Sequence, residues 1–179
     1  MVRIPAIPVA EADAATAATF GAIKAKLGVV PNLFATFAQA PAVMNGYLGF
    51  SEALGSGRLS ARQREIIALA VGQANSCQYC LSAHTLIGKG AGLSDAEVLA
   101  ARAGKGDDAL ENAIAQLAVK IAVQRGVISD AELAAARAAG LDNGLILEVL
   151  GNVTINLLTN YANHIAGTEV DFPAVSVAL

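Results

Sequence analysis

The sequence predicts an all-α protein, and three observations carry that prediction. Apolar residues make up 55% of the 179-residue chain, and Ala and Leu, both good helix formers, are the most abundant. No alternation of Val, Ile and Thr runs long enough for a half-buried strand. Three Ser-x-x-Gln/Glu boxes, Ser60 with Gln63, Ser94 with Glu97 and Ser129 with Glu132, each precede an apolar run at helical spacing. In such a box the Ser and the residue three positions on satisfy each other's free amides, which marks a helix start.

The elements follow in order. After an extended start with Pro5 and Pro8, residues 11–27 read as a helix. Gly28 ends it and Pro31 prevents its continuation. A short helix is expected over 32–39, and another from Pro41, a residue suited to the first helical position, to about 55. The boxes start helices over 61–75, 95–103 and 130–139. Between them lie a helix over 77–89, which Ser76 is placed to cap, and one over 108–125. A long helix over 143–165 closes the series, and the tail from Thr168 to Leu179 reads as irregular around Pro173. The segment 93–104 echoes 128–138, either as a repeat or as two capping boxes on Ala-rich helices. No linker divides the chain, so a single domain over 1–179 is expected, with its core at about 41–166.

Charge narrows the function classes. Charged residues amount to 15%, net charge is −3 and no Lys/Arg run exists, which argues against a nucleic-acid partner. So low a charge content predicts that other subunits cover part of the surface. Residues 149–168 carry no acid or base, but Asn152, Asn156, Asn160, Asn163 and His164 make insertion into lipid costly. That segment reads as a buried helix of a soluble protein, without a membrane partner. Met1-Val2-Arg3-Ile4-Pro5 lacks the apolar stretch of a secretion signal, and the only two cysteines stand three residues apart. Both features point to a cytoplasmic redox pair or part of a metal site rather than to a secreted disulfide scaffold.

The chemistry gathers in Glu65-x11-Cys77-Gln78-Tyr79-Cys80-x3-His84. Positions i, i+3 and i+7 share a helical face, so both thiols and the imidazole of His84 point the same way. Amides at a helix start and a nearby imidazolium favour the thiolate, which is the reactive species. Glu65 on the preceding helix can face the cysteine turn if the two helices form a hairpin, and its role there is proton acceptor and donor. Two other readings stand beside this one: the cysteines as plain core, and Cys77, Cys80, His84 and Glu65 as zinc ligands, although no second knuckle is present.

These residues resemble the signature of the alkyl hydroperoxidase D (AhpD) / carboxymuconolactone decarboxylase family. The flanks Leu59-Ser60-Ala61-Arg62-Gln63-Arg64 and Gly92-Leu93-Ser94-Asp95 are similar too. The stretch from Asn163 to Pro173 resembles the ending of peroxidase-related members. The resemblance implies an AhpD-like helical bundle whose hairpin carries the cysteine pair, a homo-trimer or homo-hexamer, and reduction of small organic hydroperoxides. It implies Cys80 as the attacking thiol, Cys77 as the resolving one, and Glu65 and His84 as proton relays. Hydroperoxidase members often have a His before the second cysteine; here Tyr79 stands there, able to hydrogen-bond but a poor base. Helix position alone favours Cys77 as the more acidic thiol. Proton delivery to the departing oxygen favours Cys80, one turn before His84.

Glu148, Asn152, Asn156, Asn160 and Asn163 recur every three or four residues and make one polar stripe on the last helix. Asn is a poor helix former, so the stripe fits a pocket wall or a subunit seam better than a solvated face. Asn160 and His164, together with Tyr79, are the binding candidates. No flavin, haem or nicotinamide motif is visible, so no cofactor is expected and an external thiol or dithiol must supply electrons. The rival functions are a decarboxylase or lyase using Glu65 and His84 as acid and base, and a non-enzymatic thiol redox sensor.

Overall fold

The computed structural model describes residues 1–179 and contains nine α-helices and no strand. They are α1 (Ala14–Leu27), α2 (Asn32–Phe37), α3 (Pro41–Gly55), α4 (Ala61–Ala74), α5 (Gln78–Gly90), α6 (Asp95–Arg102), α7 (Ala109–Val123), α8 (Asp130–Ala138) and α9 (Asn143–Ala166). A 3-10 turn at Val9–Glu11 precedes α1. The expected all-α class is therefore the observed one.

Local chemistry sets the boundaries. All three Ser boxes close in both directions at the starts of α4, α6 and α8. Asp108 and Asp142 cap α7 and α9 by accepting from Glu111 N and Leu145 N. Gly28 ends α1 at φ 80°, in the left-handed region that Gly occupies without steric cost. Two expectations need correction. The first helix starts at 14 rather than 11, because Asp13 accepts from Thr16 N and so becomes the cap. Ser76 does not cap α5. It sits at φ 53°, and Cys77 is itself the N-cap residue. The end of α4 explains this: Ser76 N donates to Gln73 O and Cys77 N to Gly72 O, so the chain stays bound to α4 until Cys77.

α4 is the central post. Its residues Ile66 to Gly72 are all buried, and it packs on α5, α6, α7 and α9. Ile67 and Val71 join Ile114, Leu117, Val149 and Val153 in one core cluster. Ile66 and Leu69 join Leu93, Val98 and Ala115 in another. Each such Ile, Leu or Val side chain contributes about 1.5–3 kcal/mol of transfer free energy. A third cluster, Phe20, Ile23, Leu33, Phe37 and Met44, packs around Cys77, Tyr79 and Cys80. α5 runs close to α4 where Gly88 has no side chain; a Cβ there would lie 3.0 Å from Leu93 Cδ1 and 3.7 Å from Glu65 Cβ. The tail lies across this hairpin. Buried Arg102 donates to Ser176 O and Ala178 O, Gln73 Nε2 donates to Val177 O, and Val175 N donates to Ser82 Oγ. No helix is long and apolar enough to cross a membrane.

Candidate active site

The turn from α4 to α5 places the cysteines. Cys77 and Cys80 form a disulfide at the first turn of α5, and both are nearly inaccessible, at 1% and 3% exposure. Cys77 Sγ also accepts from Cys80 N at 3.3 Å, as an N-cap side chain does. No three His, Cys, Asp or Glu side chains converge as ligands for a metal ion.

A cavity of about 510 Å³ opens beside this turn. Glu65, Cys80 and His84 line it, and Cys77 does not. Glu65 Oε2 lies 2.8 Å from His84 Nδ1, so α4 and α5 form the hairpin that brings carboxylate and imidazole together. Burial opposes the charged imidazole, but the charge of Glu65 and its hydrogen bond outweigh it and raise the His84 pKa. The pair can therefore hold a proton on His84 beside Cys80. Ile23, Leu33, Phe34, Tyr47, Ile155 and Phe172 make the apolar wall. Asn152, Asn156 and Asn163 of α9 supply a polar wall opposite in character.

The other sequence candidates fall in different places. Tyr79 lines the cavity but is 5% exposed and anchored: its hydroxyl accepts from Leu33 N at 3.2 Å and its ring meets Phe172 edge-on at 5.5 Å. Burial pushes its pKa well above the usual tyrosine range, the Leu33 amide opposes this, and the nearby Asp171 carboxylate reinforces it. Tyr79 thus ties α5 to α2 and is no base at neutral pH. Asn160 is fully buried, does not line the cavity, and accepts from Asn75 Nδ2 at 2.8 Å at the end of α4. His164 is exposed and outside the cavity; Arg3 donates to its backbone carbonyl.

The sequence marks Asn163 only as one of the stripe and does not mark Tyr47 at all. Asn163 Nδ2 donates to Cys80 Sγ at 3.4 Å. The polar stripe held that signal, but spacing does not say which amide meets the sulfur. Tyr47, on α3, lines the cavity between Phe34 and Phe37. Burial and then the charge of Glu65 push its pKa up to about 12, against a hydrogen bond with Ser51. Nothing in the sequence connects it with a motif on the next two helices.

The model of the carboxymuconolactone decarboxylase family matches residues 41–124, which include Glu65, Cys77, Cys80 and His84. No curated protein sequence matches the chain. Among solved structures, an uncharacterized peroxidase-related protein from Ralstonia eutropha JMP134, with an alkylhydroperoxidase AhpD core, superposes with a TM-score of 0.85 at 23% identity over 95% of this chain and 92% of that one. An uncharacterized peroxidase-related protein from Silicibacter sp. TM1040 gives 0.81 at 23% identity, over 94% and 93%. A cysteine-to-alanine variant of the debrominase Bmp8, in complex with 2,3,4-tribromopyrrole, gives 0.80 at 15% identity, over 96% and 92%. At these identities the likeness is one of fold.

Proposed function

We propose that this chain, which matches the carboxymuconolactone decarboxylase family over residues 41–124 and has the AhpD-like fold, is a thiol-dependent peroxidase acting on small organic hydroperoxides. The observation that carries this reading is which sulfur the cavity meets. Of the two cysteines only Cys80 lines the cavity, and it shares that cavity with the Glu65–His84 pair. Cys80 as thiolate attacks the terminal peroxide oxygen, the O–O bond breaks, and His84 gives a proton to the departing alkoxide. The products are an alcohol and a sulfenic acid on Cys80. The Cys77 thiol then attacks that sulfur and expels water, forming the disulfide. An external dithiol reduces the disulfide and leaves as its own disulfide. Glu65 holds the imidazolium in place, and His84 regains its proton from solvent. Such a cycle belongs in a reducing compartment such as the cytoplasm.

The test is peroxide consumption with a dithiol reductant, on wild type and two variants. Cys80→Ser should abolish turnover. Cys77→Ser should consume one equivalent and leave a sulfenic acid on Cys80 that a trapping reagent labels. A trapped adduct on Cys77 in Cys80→Ser, with none on Cys80 in the converse variant, would reverse the assignment. A second reading rests on the ring-lined wall of Phe34, Tyr47 and Phe172. The same dithiol can replace a C–Br bond by C–H, releasing HBr and forming the disulfide, as the name of the debrominase neighbour suggests. Bromide release from 2,3,4-tribromopyrrole without peroxide consumption would select it.

Assembly as a homo-trimer or homo-hexamer belongs to the same proposal. The outer face of α9 exposes Leu147 (65%), Leu150 (41%), Leu158 (41%), Tyr161 (50%) and Ile165 (62%) in one stripe, an apolar face that subunit contact would cover. Light scattering at micromolar concentration should give three or six times the chain mass; a monomer would refute it.

A further inference from the structure

Asn163 is the stripe residue that touches a reacting atom. It is 5% exposed, its Nδ2 donates to Cys80 Sγ, and its Oδ1 is buried without a partner. Chemistry fixes which end of the amide faces the sulfur. A disulfide sulfur has no hydrogen to give, so an oxygen turned towards it would gain nothing, whereas an N–H gains a weak acceptor. That contact strengthens when the sulfur becomes an anion, because hydrogen bonds to charged groups are roughly twice as strong as neutral ones.

The two sulfurs otherwise stand on unequal terms. Cys77 Sγ already receives Cys80 N and sits at the N-cap, where free amides favour negative charge. Cys80 Sγ has the side chain of Asn163 instead, reaching across from α9.

We propose that Asn163 is a catalytic residue of the pair, whose side-chain amide holds Cys80 Sγ as a thiolate once the disulfide opens and offsets the helix-end advantage of Cys77. Reduction by an external dithiol adds two electrons and two hydrogens to the pair, and the Asn163 donor then favours Cys80 as the thiolate. The inference rests on the redox reading above only in requiring that the disulfide opens; it does not need peroxide to be the oxidant.

The test measures the Cys80 thiolate without peroxide. In a Cys77→Ser background, the rate of Cys80 alkylation by iodoacetamide is followed against pH by mass spectrometry, alone and with Asn163→Leu or Asn163→Asp. Asn163→Leu should leave about tenfold less thiolate at pH 7, the loss expected for one charge-assisted hydrogen bond. Asn163→Asp keeps the shape, removes the donor and adds a repelling carboxylate, so its profile should move further towards high pH. With both cysteines present, Asn163→Leu should shift the equilibrium with dithiothreitol about tenfold towards the disulfide, by the same loss. If Asn163→Leu fails to fold, Asn163→Asp decides. Unshifted alkylation profiles, whatever the change in Tm, overturn the proposal. A wild type inert to peroxide together with shifted profiles sinks the peroxidase reading and leaves this one standing.

Discussion

Arg62 and Glu65 lie one turn apart on α4 and meet their partners in opposite ways. Arg62 stands between two carboxylates, Glu111 with Nε–Oε1 at 2.8 Å and Glu97 with Nη2–Oε1 at 2.5 Å, and also donates to Gly92 O. Glu65 stands against one imidazole, at 2.8 Å, on a cavity wall. The hydrogen bonds from Arg62 and Ser94 hold Glu97 at about 2, and those to Glu111 and then Glu97 raise the guanidinium. Arg62 and Glu97 keep their charges across the neutral range, and the bonds of Arg62 fasten α6 and α7 to α4. The Glu65–His84 pair has a proton whose position is open to change. The same ion-pair chemistry thus serves as a clamp where both charges are fixed and, under the proposed mechanism, as a proton store where one partner titrates.

The comparison breaks first at Glu65. Glu65→Gln keeps the shape and a hydrogen bond to His84 but removes the charge that favours the imidazolium. Under the proposed mechanism kcat/KM for hydroperoxide should fall about 10²–10⁴-fold, the range for losing a positioned acid or base, while Tm moves little. Steady-state kinetics and a thermal melt on the same sample decide it. A variant with wild-type kcat/KM would remove Glu65 from the chemistry.

Arg62→Ala should do the reverse. It leaves the buried Glu111 and the half-buried Glu97 facing each other without a cation, and uncompensated buried charge is costly. Tm should drop by several degrees and peroxide turnover should stay close to wild type. A parallel Arg62→Met separates lost charge from the lost packing of the long side chain. A turnover loss as large as that of Glu65→Gln would show the clamp and the site to be coupled.

Much of this contrast was legible in the sequence, and the reasons for the rest are physical. Caps and breakers act within four residues, so Ser60, Ser94, Ser129, Gly28 and Pro41 located their helices closely. The spacing of Glu65, Cys77, Cys80 and His84 was local enough to anticipate a shared site across a hairpin. Ser76 fails as a cap because its φ of 53° is set by the hydrogen bonds that end α4, and no composition cue announces that conformation. His164, a binding candidate because it sits beside the Asn stripe, lies off the buried line, which runs Asn152, Asn156, Asn160, Asn163, Ala166. Tyr47 and the amide of Asn163 depend on α3 and α9 meeting α5, contacts set by packing between distant segments. Nothing near Arg62 in the chain points to Glu111, forty-nine residues away, as the carboxylate that shares it with Glu97.

The smallest effect is one of pH, and it has opposite signs at the two ends of the comparison. Glu97 is depressed to about 2 in the folded chain. Its contribution is present above the unfolded value of about 4.5 and is lost as pH falls towards 2. His84 is raised, by a Glu65 charge and hydrogen bond that outweigh burial. Below about 6.5 the folded and unfolded chains both carry the proton, and the pair contributes in full. Above that value the unfolded chain loses its proton first, and the contribution has gone once pH passes the folded pKa. Melting curves from pH 3 to 9 should therefore show an acid limb that shrinks in Glu97→Gln and an alkaline limb that vanishes in Glu65→Gln. Partial exposure of both pairs, 27% for Glu97 and 21% for His84, screens the charges and keeps each limb shallow. An alkaline limb unchanged by Glu65→Gln would mean that another group titrates there, and the proton store would lose its physical basis.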